Sequence, residues 1–276
     1  MGKNKLRKFA EMETFPNVFQ CSAKEIDETH PNEYNQNIAF VSSGTFQPFY
    51  LAGKWRTDYF NNNNPIVLEL GCGRGDYTVG LAKMFPNINF IGIDIKGARI
   101  WAGAKQAIED NLTNVAFLRT NIEFLPRFFA NNEVDEIWIT FPDPQMKKAT
   151  KRLTSSFFMN RYAQLLKDGG IIHLKTDSPF LYTYTAEMVR VNTFPIIVQT
   201  DNLYKDYSEN SSPYSTATSI QTYYEHQWLD RGMTIKYIQF RLPHQAQYLE
   251  PEIDIEKDDY RSFGRNYQDA RHKTQE

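Results

Sequence analysis

Ile66-Val67-Leu68-Glu69-Leu70-Gly71-Cys72-Gly73-Arg74-Gly75-Asp76 is the stretch from which the rest of the chain is best read. Five largely apolar residues run straight into a turn with three glycines. An apolar run of that length bounded by glycine reads as a buried strand. Residues 78–85 (TVGLAKMF) then suit a helix. Strand, glycine turn and helix in that order begin an α/β unit.

The pattern repeats downstream. Residues 89–94, 115–119, 134–141 and 170–176 read as further strands, and 194–200 and 233–242 add two more, for seven in all. Helices are expected over 97–110, 154–166, 179–191 and 222–229, the second of them stopped by Lys167-Asp168-Gly169-Gly170. Alternating strands and helices predict a mostly parallel sheet covered on both faces. The chain divides by texture into three parts. Residues 1–60 form a basic and aromatic extension, 61–242 the α/β domain, and 243–276 a charged tail, of which about the last 25 residues are expected to be partly disordered. Residues 201–218 are polar and read as a mobile loop.

In an open parallel sheet, ligands bind beyond the carboxyl ends of the strands. Gly71, Gly73 and Gly75 therefore stand where a backbone must approach a ligand closely. A dinucleotide fingerprint would place its third glycine one residue later. Here Asp76 occupies that place, and an acid beside a pyrophosphate is repulsive. Glu69 and Asp76 suit a cationic ligand instead, and S-adenosylmethionine carries both an ammonium and a sulfonium. Asp94 ends the second strand, 19 residues after Gly75, and can accept from ribose hydroxyls. Asn121 follows the third strand and could meet an adenine edge. Asp143 lies in Phe141-Pro142-Asp143-Pro144, where two prolines stiffen the backbone around it. Asp177 is the next acid along that edge, and Thr222 and Glu225 return from a distal segment; N-capping of a helix is the plainer reading of Thr222.

The 276 residues carry a net charge of −2. Residues 250–259 contribute −5 of it, with six acids and one lysine, so the remainder is basic at +3. Lys3, Lys5, Arg7 and Lys8 form one basic cluster, and Lys147, Lys148, Lys151 and Arg152 another. Local patches of this kind make phosphate contacts. Cys21 and Cys72 are too few for a disulfide framework, and the five histidines show no ligand spacing, so no metal is expected. No apolar run reaches the roughly 18 residues of a membrane span. A cytoplasmic protein, monomer or homodimer, is the expectation.

The succession ELGCGRG, GIDIK, RTN, FPDP followed by two lysines, KTD and TYYE resembles the bacterial tRNA (guanine-N7-)-methyltransferase family across residues 60–242. The resemblance implies a Rossmann-like class I S-adenosylmethionine-dependent methyltransferase fold. It also implies tRNA as partner and methyl transfer to N7 of guanosine 46 in the variable loop. By the same resemblance Glu69, Asp94, Asn121 and Asp143 contact the cofactor, and Lys147, Asp177, Thr222 and Glu225 the substrate, with Asp143 catalytic. Gln145-Met146 replaces the family's Trp-Pro, and Ala149-Thr150-Lys151-Arg152-Leu153 departs from its His-x-Lys-Arg-Arg run. Three other readings stay open on residues alone: a methyltransferase for another RNA or a small molecule, a nicotinamide-dependent oxidoreductase, and a non-catalytic RNA-binding subunit.

Overall fold

The computed structural model describes residues 3–20, 49–206 and 215–259. Its centre is a single sheet of β1 (Val18–Gln20), β2 (Ile66–Leu70), β3 (Asn89–Asp94), β4 (Val115–Arg119), β5 (Val134–Thr140), β6 (Leu166–Thr176), β7 (Ile196–Thr200) and β8 (Lys236–Leu242). The spatial order is β1-β4-β3-β2-β5-β6-β8-β7. β8 alone is antiparallel to its neighbours, pairing in that sense with both β6 and β7.

Helices α1 (Lys3–Met12), α2 (Asp76–Met84), α3 (Gly97–Glu109), α4 (Ser156–Leu165) and α5 (Pro179–Val191) cover the sheet, with short helices α6 (Leu203–Asp206), α7 (Ser215–Ser219) and α8 (Tyr223–Leu229). Successive strand side chains point to opposite faces. Ile66, Leu68 and Leu70 therefore enter one apolar core with residues of α4 and α5, such as Met159 and Leu181. Val67 enters the other, with Tyr77 of α2 and Ile100 of α3. Each fully buried aliphatic side chain contributes about 1.5–3 kcal/mol, which is why these strands are apolar on both faces.

Four expectations are corrected. The sheet has eight strands, not seven, because Val18–Gln20 pairs in parallel with β4. Phe19 anchors that strand by edge-to-face contacts with Trp55 and Tyr59, at 5.0 Å each. Part of residues 1–60 thus belongs to the core, and Trp55 is fully buried. The helix expected to run to Leu166 ends at Leu165, and β6 begins at once instead of at Gly170. Residues 201–218 contain two helical turns, with Leu203 and Ala217 buried; 207–214 lie outside the described residues. Residues 252–259 are mostly exposed, with Ile255 packed against the first core and Asp258 buried at 7% exposure; 260–276 lie outside the described residues. Among the described residues no helix is long and apolar enough to cross a membrane.

Candidate functional site

The chain winds outward from β2 through β3 to β4, then returns to β5 and continues to β6 on the other side. The crevice between the carboxyl ends of β2 and β5 is this switch point, where α/β sheets bind ligands. Five parallel strands deliver their following residues to that edge: Gly71–Gly75 after β2, Asp94 at the end of β3, Asn121 after β4, Asp143 after β5 and Asp177 after β6. A cavity of about 200 Å³ opens there, with Gly71, Asp94, Thr120, Asn121, Gln145 and Phe158 among its walls.

The glycine turn is left-handed three times, at φ 75° for Gly71, 55° for Gly73 and 77° for Gly75. Gly71 faces open space, so backbone is exposed to the cavity. Gly75 serves packing: a Cβ there would lie 2.7 Å from the Phe117 ring and 3.1 Å from Gly103. We expect Gly75→Ala to destabilise the fold by about 3 kcal/mol, combining backbone strain with overpacking. A denaturant midpoint within error of the parent would refute this account of the turn.

Glu69 is turned inward from β2 on the α2 face and is 4% exposed. One carboxylate oxygen accepts from the Thr78 backbone N–H at 2.8 Å and the Thr78 hydroxyl at 2.5 Å. The other accepts from the Thr140 hydroxyl at 2.8 Å. Burial pushes its pKa up to about 7, against the pull of those hydrogen bonds. Glu69 therefore ties the first turn of α2 to the last residue of β5. A cation arriving nearby would favour its ionised form. Asp94 accepts from the Gly73 N–H at 3.0 Å and the Lys96 N–H at 2.7 Å, one on each oxygen. Its remaining lone pairs can still accept from a ligand. Thr120 Oγ1, by contrast, is buried with no protein partner, an orphaned polar atom in the wall of the cavity.

Asp143 is exposed, and its carboxylate accepts from the Gln145 N–H at 2.9 Å. Lys147 and Lys148 beside it are exposed. Lys151 is paired with Glu123 at 2.5 Å. Arg152 is directed inward, onto the carbonyls of Gln145 and Met146. Of the other basic cluster, Arg7 is exposed and Lys8 lies 4.3 Å over the Trp101 ring, while the side chains of Lys3 and Lys5 are outside what the structure describes. Asp177 is fully buried beneath the edge. Thr222 caps α8, accepting from the Glu225 N–H at 3.2 Å while Glu225 accepts from the Thr222 N–H at 3.3 Å.

Glu225 is fully buried and paired with Lys175, also fully buried, at 2.6 Å; the Tyr204 hydroxyl donates to it as well, at 2.6 Å. Lys175 further donates to the carbonyls of Ala217, at 2.5 Å, and Ile220, at 3.2 Å. Burial lowers the pKa of Lys175, and Glu225 opposes that shift. Thr222 and Glu225 thus hold the returning segment on the sheet. Lys175, Thr78 and Thr140 escaped sequence reading. A lysine inside the apolar run of β6 was the available sign that a buried acid had to meet it.

The edge presents acids around a glycine turn, a carboxylate on a proline-stiffened loop and lysines outside it. Among the described residues no group of three or more His, Cys, Asp or Glu could hold a metal. Residues 63–238 match the family described as "Putative methyltransferase". The chain is 53% identical over 266 residues to a tRNA (guanine-N(7)-)-methyltransferase of Bacteroides thetaiotaomicron, covering 96% of both. It is 56% identical to the protein of that name from Porphyromonas gingivalis, covering 92% of this chain and 97% of that one. The 16S rRNA methyltransferase KamB shares the fold, with a TM-score of 0.51 and 15% identity over 70% of this chain and 92% of that one. On these similarities, the chain belongs to the tRNA (guanine-N(7)-)-methyltransferase family.

Proposed function

We propose that this chain methylates N7 of guanosine 46 in the tRNA variable loop, using S-adenosylmethionine, in the cytoplasm. The observation that carries the reading is the placement of Glu69, Asp94 and Asp143 at or just beyond the carboxyl ends of β2, β3 and β5, on the edge that holds a glycine turn open at Gly71. Carboxylates along this edge, with Asp94 in the cavity wall, suit a cationic cofactor and disfavour a pyrophosphate. The orphaned Thr120 hydroxyl and the open backbone at Gly71 fit a polar group in the cavity. Asp94 would accept from the ribose, Asn121 would meet the adenine, and Glu69 would set the loop that receives the amino acid end.

The bound cofactor supplies an electrophilic methyl group on a sulfonium. Guanine N7 offers an in-plane lone pair and carries no proton, so no base is required before attack. The purine becomes cationic as the new bond forms. Asp143 acts by orienting the acceptor and stabilising that developing charge, in a site shaped before the substrate arrives. Lys147 and Lys148 face solvent beside it and suit backbone phosphates. Asp177 underlies the acceptor position, and Thr222 and Glu225 shape it by fixing the segment that returns over β6. A variable loop is a suitable target because its bases can be splayed out.

The test is transfer of labelled methyl to an unmodified tRNA transcript and to a second transcript with adenosine at position 46. Label in the first alone is expected. Equal label in both would overturn the assigned position. Label in neither, with cofactor binding intact, would overturn tRNA as the substrate.

A further inference from the structure

The loop that carries Asp143 is held in an unfavourable conformation. Phe141 and Gln145, at its two ends, both have a φ of 48°, in the left-handed region that bulky side chains avoid. Such residues persist where their surroundings over-determine them. The loop has few other hydrogen bonds: the Phe141 N–H to the Lys175 carbonyl at 2.8 Å, the Gln145 N–H to Asp143 at 2.9 Å, and the Lys148 N–H to the Gln145 carbonyl at 3.1 Å.

The additional restraint comes from behind the loop. Arg152 donates through Nε to the Gln145 carbonyl at 3.2 Å and through Nη2 to the Met146 carbonyl at 3.1 Å. Its guanidinium lies 4.8 Å from the Phe180 ring centre and 4.5 Å from that of Tyr184. A planar fork can hold two carbonyls at once, which an ammonium cannot do in the same geometry. Behind those rings runs the acidic C-terminal segment. The Tyr184 hydroxyl donates to Glu250, which also accepts from the Ser156 N–H at 3.1 Å at the start of α4. Asp258 accepts from the Ser178 hydroxyl and from the Phe180 N–H at 3.0 Å, at the start of α5. The Asp258 N–H in turn donates to Met146 Sδ at 3.2 Å. One buried residue thus joins the loop of Asp143 to the turn just after Asp177.

We propose that Arg152 and Asp258 are positioning residues for methyl transfer. They hold the loop after β5 in the conformation that presents Asp143, and the acidic C-terminal segment is part of the active-site scaffold. The proposal rests on the function given above for its kinetic test, and a second measurement frees it from that function.

The kinetic test compares the full chain with Arg152→Gln, Arg152→Lys and Asp258→Asn on an unmodified tRNA transcript. Arg152→Gln is expected to lower kcat by about tenfold to a hundredfold, the range for a misplaced catalytic group. KM for tRNA, cofactor affinity by calorimetry and the salt slope of tRNA binding are expected to stay unchanged. Arg152→Lys should regain part of kcat, and Asp258→Asn should fall between it and the parent. A normal kcat with raised KM and a salt slope smaller by about one would make Arg152 a phosphate ligand and overturn the proposal. Loss of cofactor binding together with kcat would reduce its role to general stability and overturn it as well. The second measurement is amide hydrogen exchange. Arg152→Gln should speed exchange at Gln145 and Lys148 while leaving α2 protected, whatever the substrate proves to be. Unchanged exchange at those amides would overturn the brace even if tRNA methylation is confirmed.

Discussion

Asp143→Asn is expected to lower methyl transfer by at least about 100-fold while leaving the fold intact, the loss typical of removing one preorganised electrostatic group. The substitution keeps the shape of the side chain and an oxygen able to accept from the Gln145 N–H, now at 2.9 Å. What it removes is the negative charge. Because N7 needs no deprotonation, the loss would come from the developing cationic ring, not from a missing base. Asp143 is exposed, so stability should change by no more than about 0.5 kcal/mol. Steady-state kinetics alongside a denaturant curve separate the two effects. Near-normal turnover in a folded variant would remove Asp143 from the chemistry.

Lys175→Met should be the most destabilising of the substitutions considered, by about 3–5 kcal/mol, because it leaves a buried carboxylate without its counter-ion. Lys175 and Glu225 are both fully buried, 2.6 Å apart. The same ammonium holds the carbonyls of Ala217 and Ile220, so its loss also frees the segment around α7 from the sheet. Replacing both partners, Lys175→Met with Glu225→Met, should recover most of the stability, since the uncompensated charge is then gone. It should not recover activity, because the half of the α8 cap in which the Glu225 carboxylate accepts from the Thr222 N–H is lost with it. Equilibrium denaturation of the two variants provides the check. A loss below about 1 kcal/mol for the single variant would mean the pair is not closed off from solvent as described.

The parts of the fold that sequence made legible are those with strong local signals. β2, β3 and β4 are apolar runs bounded by turn residues, and their limits agree with the expected ones residue for residue. α5 was legible from Pro179 at its first position and Ser178 before it, whose hydroxyl accepts from the Leu181 N–H. β1 was not, because three residues carry no period and Phe19 owes its place to Trp55 and Tyr59, far away in the chain. The same distinction runs through the site. The glycine turn and the acids at strand ends announce themselves by position after a strand. The partners of Glu69 do not: Thr78 is nine residues away and Thr140 seventy-one. Charge led sequence reading to place Arg152 on the solvent side, but its direction depends on Phe180, Tyr184 and two carbonyls that only the folded chain brings together. The place of the acidic segment was not legible either: Glu250 and Asp258 find the positive ends of α4 and α5, where a carboxylate is stabilised, and only the folded chain brings them there.

The measurement that bears most directly on the central claim is identification of the methylated nucleoside after complete digestion of a tRNA transcript treated with the protein and S-adenosylmethionine. Methylation at N7 leaves a fixed positive charge on the ring, whereas methylation at N1, N2 or a ribose oxygen gives a neutral product. We predict 7-methylguanosine as the product, absent when guanosine 46 is replaced. A neutral methylated nucleoside, or 7-methylguanosine undiminished by that replacement, would contradict the account.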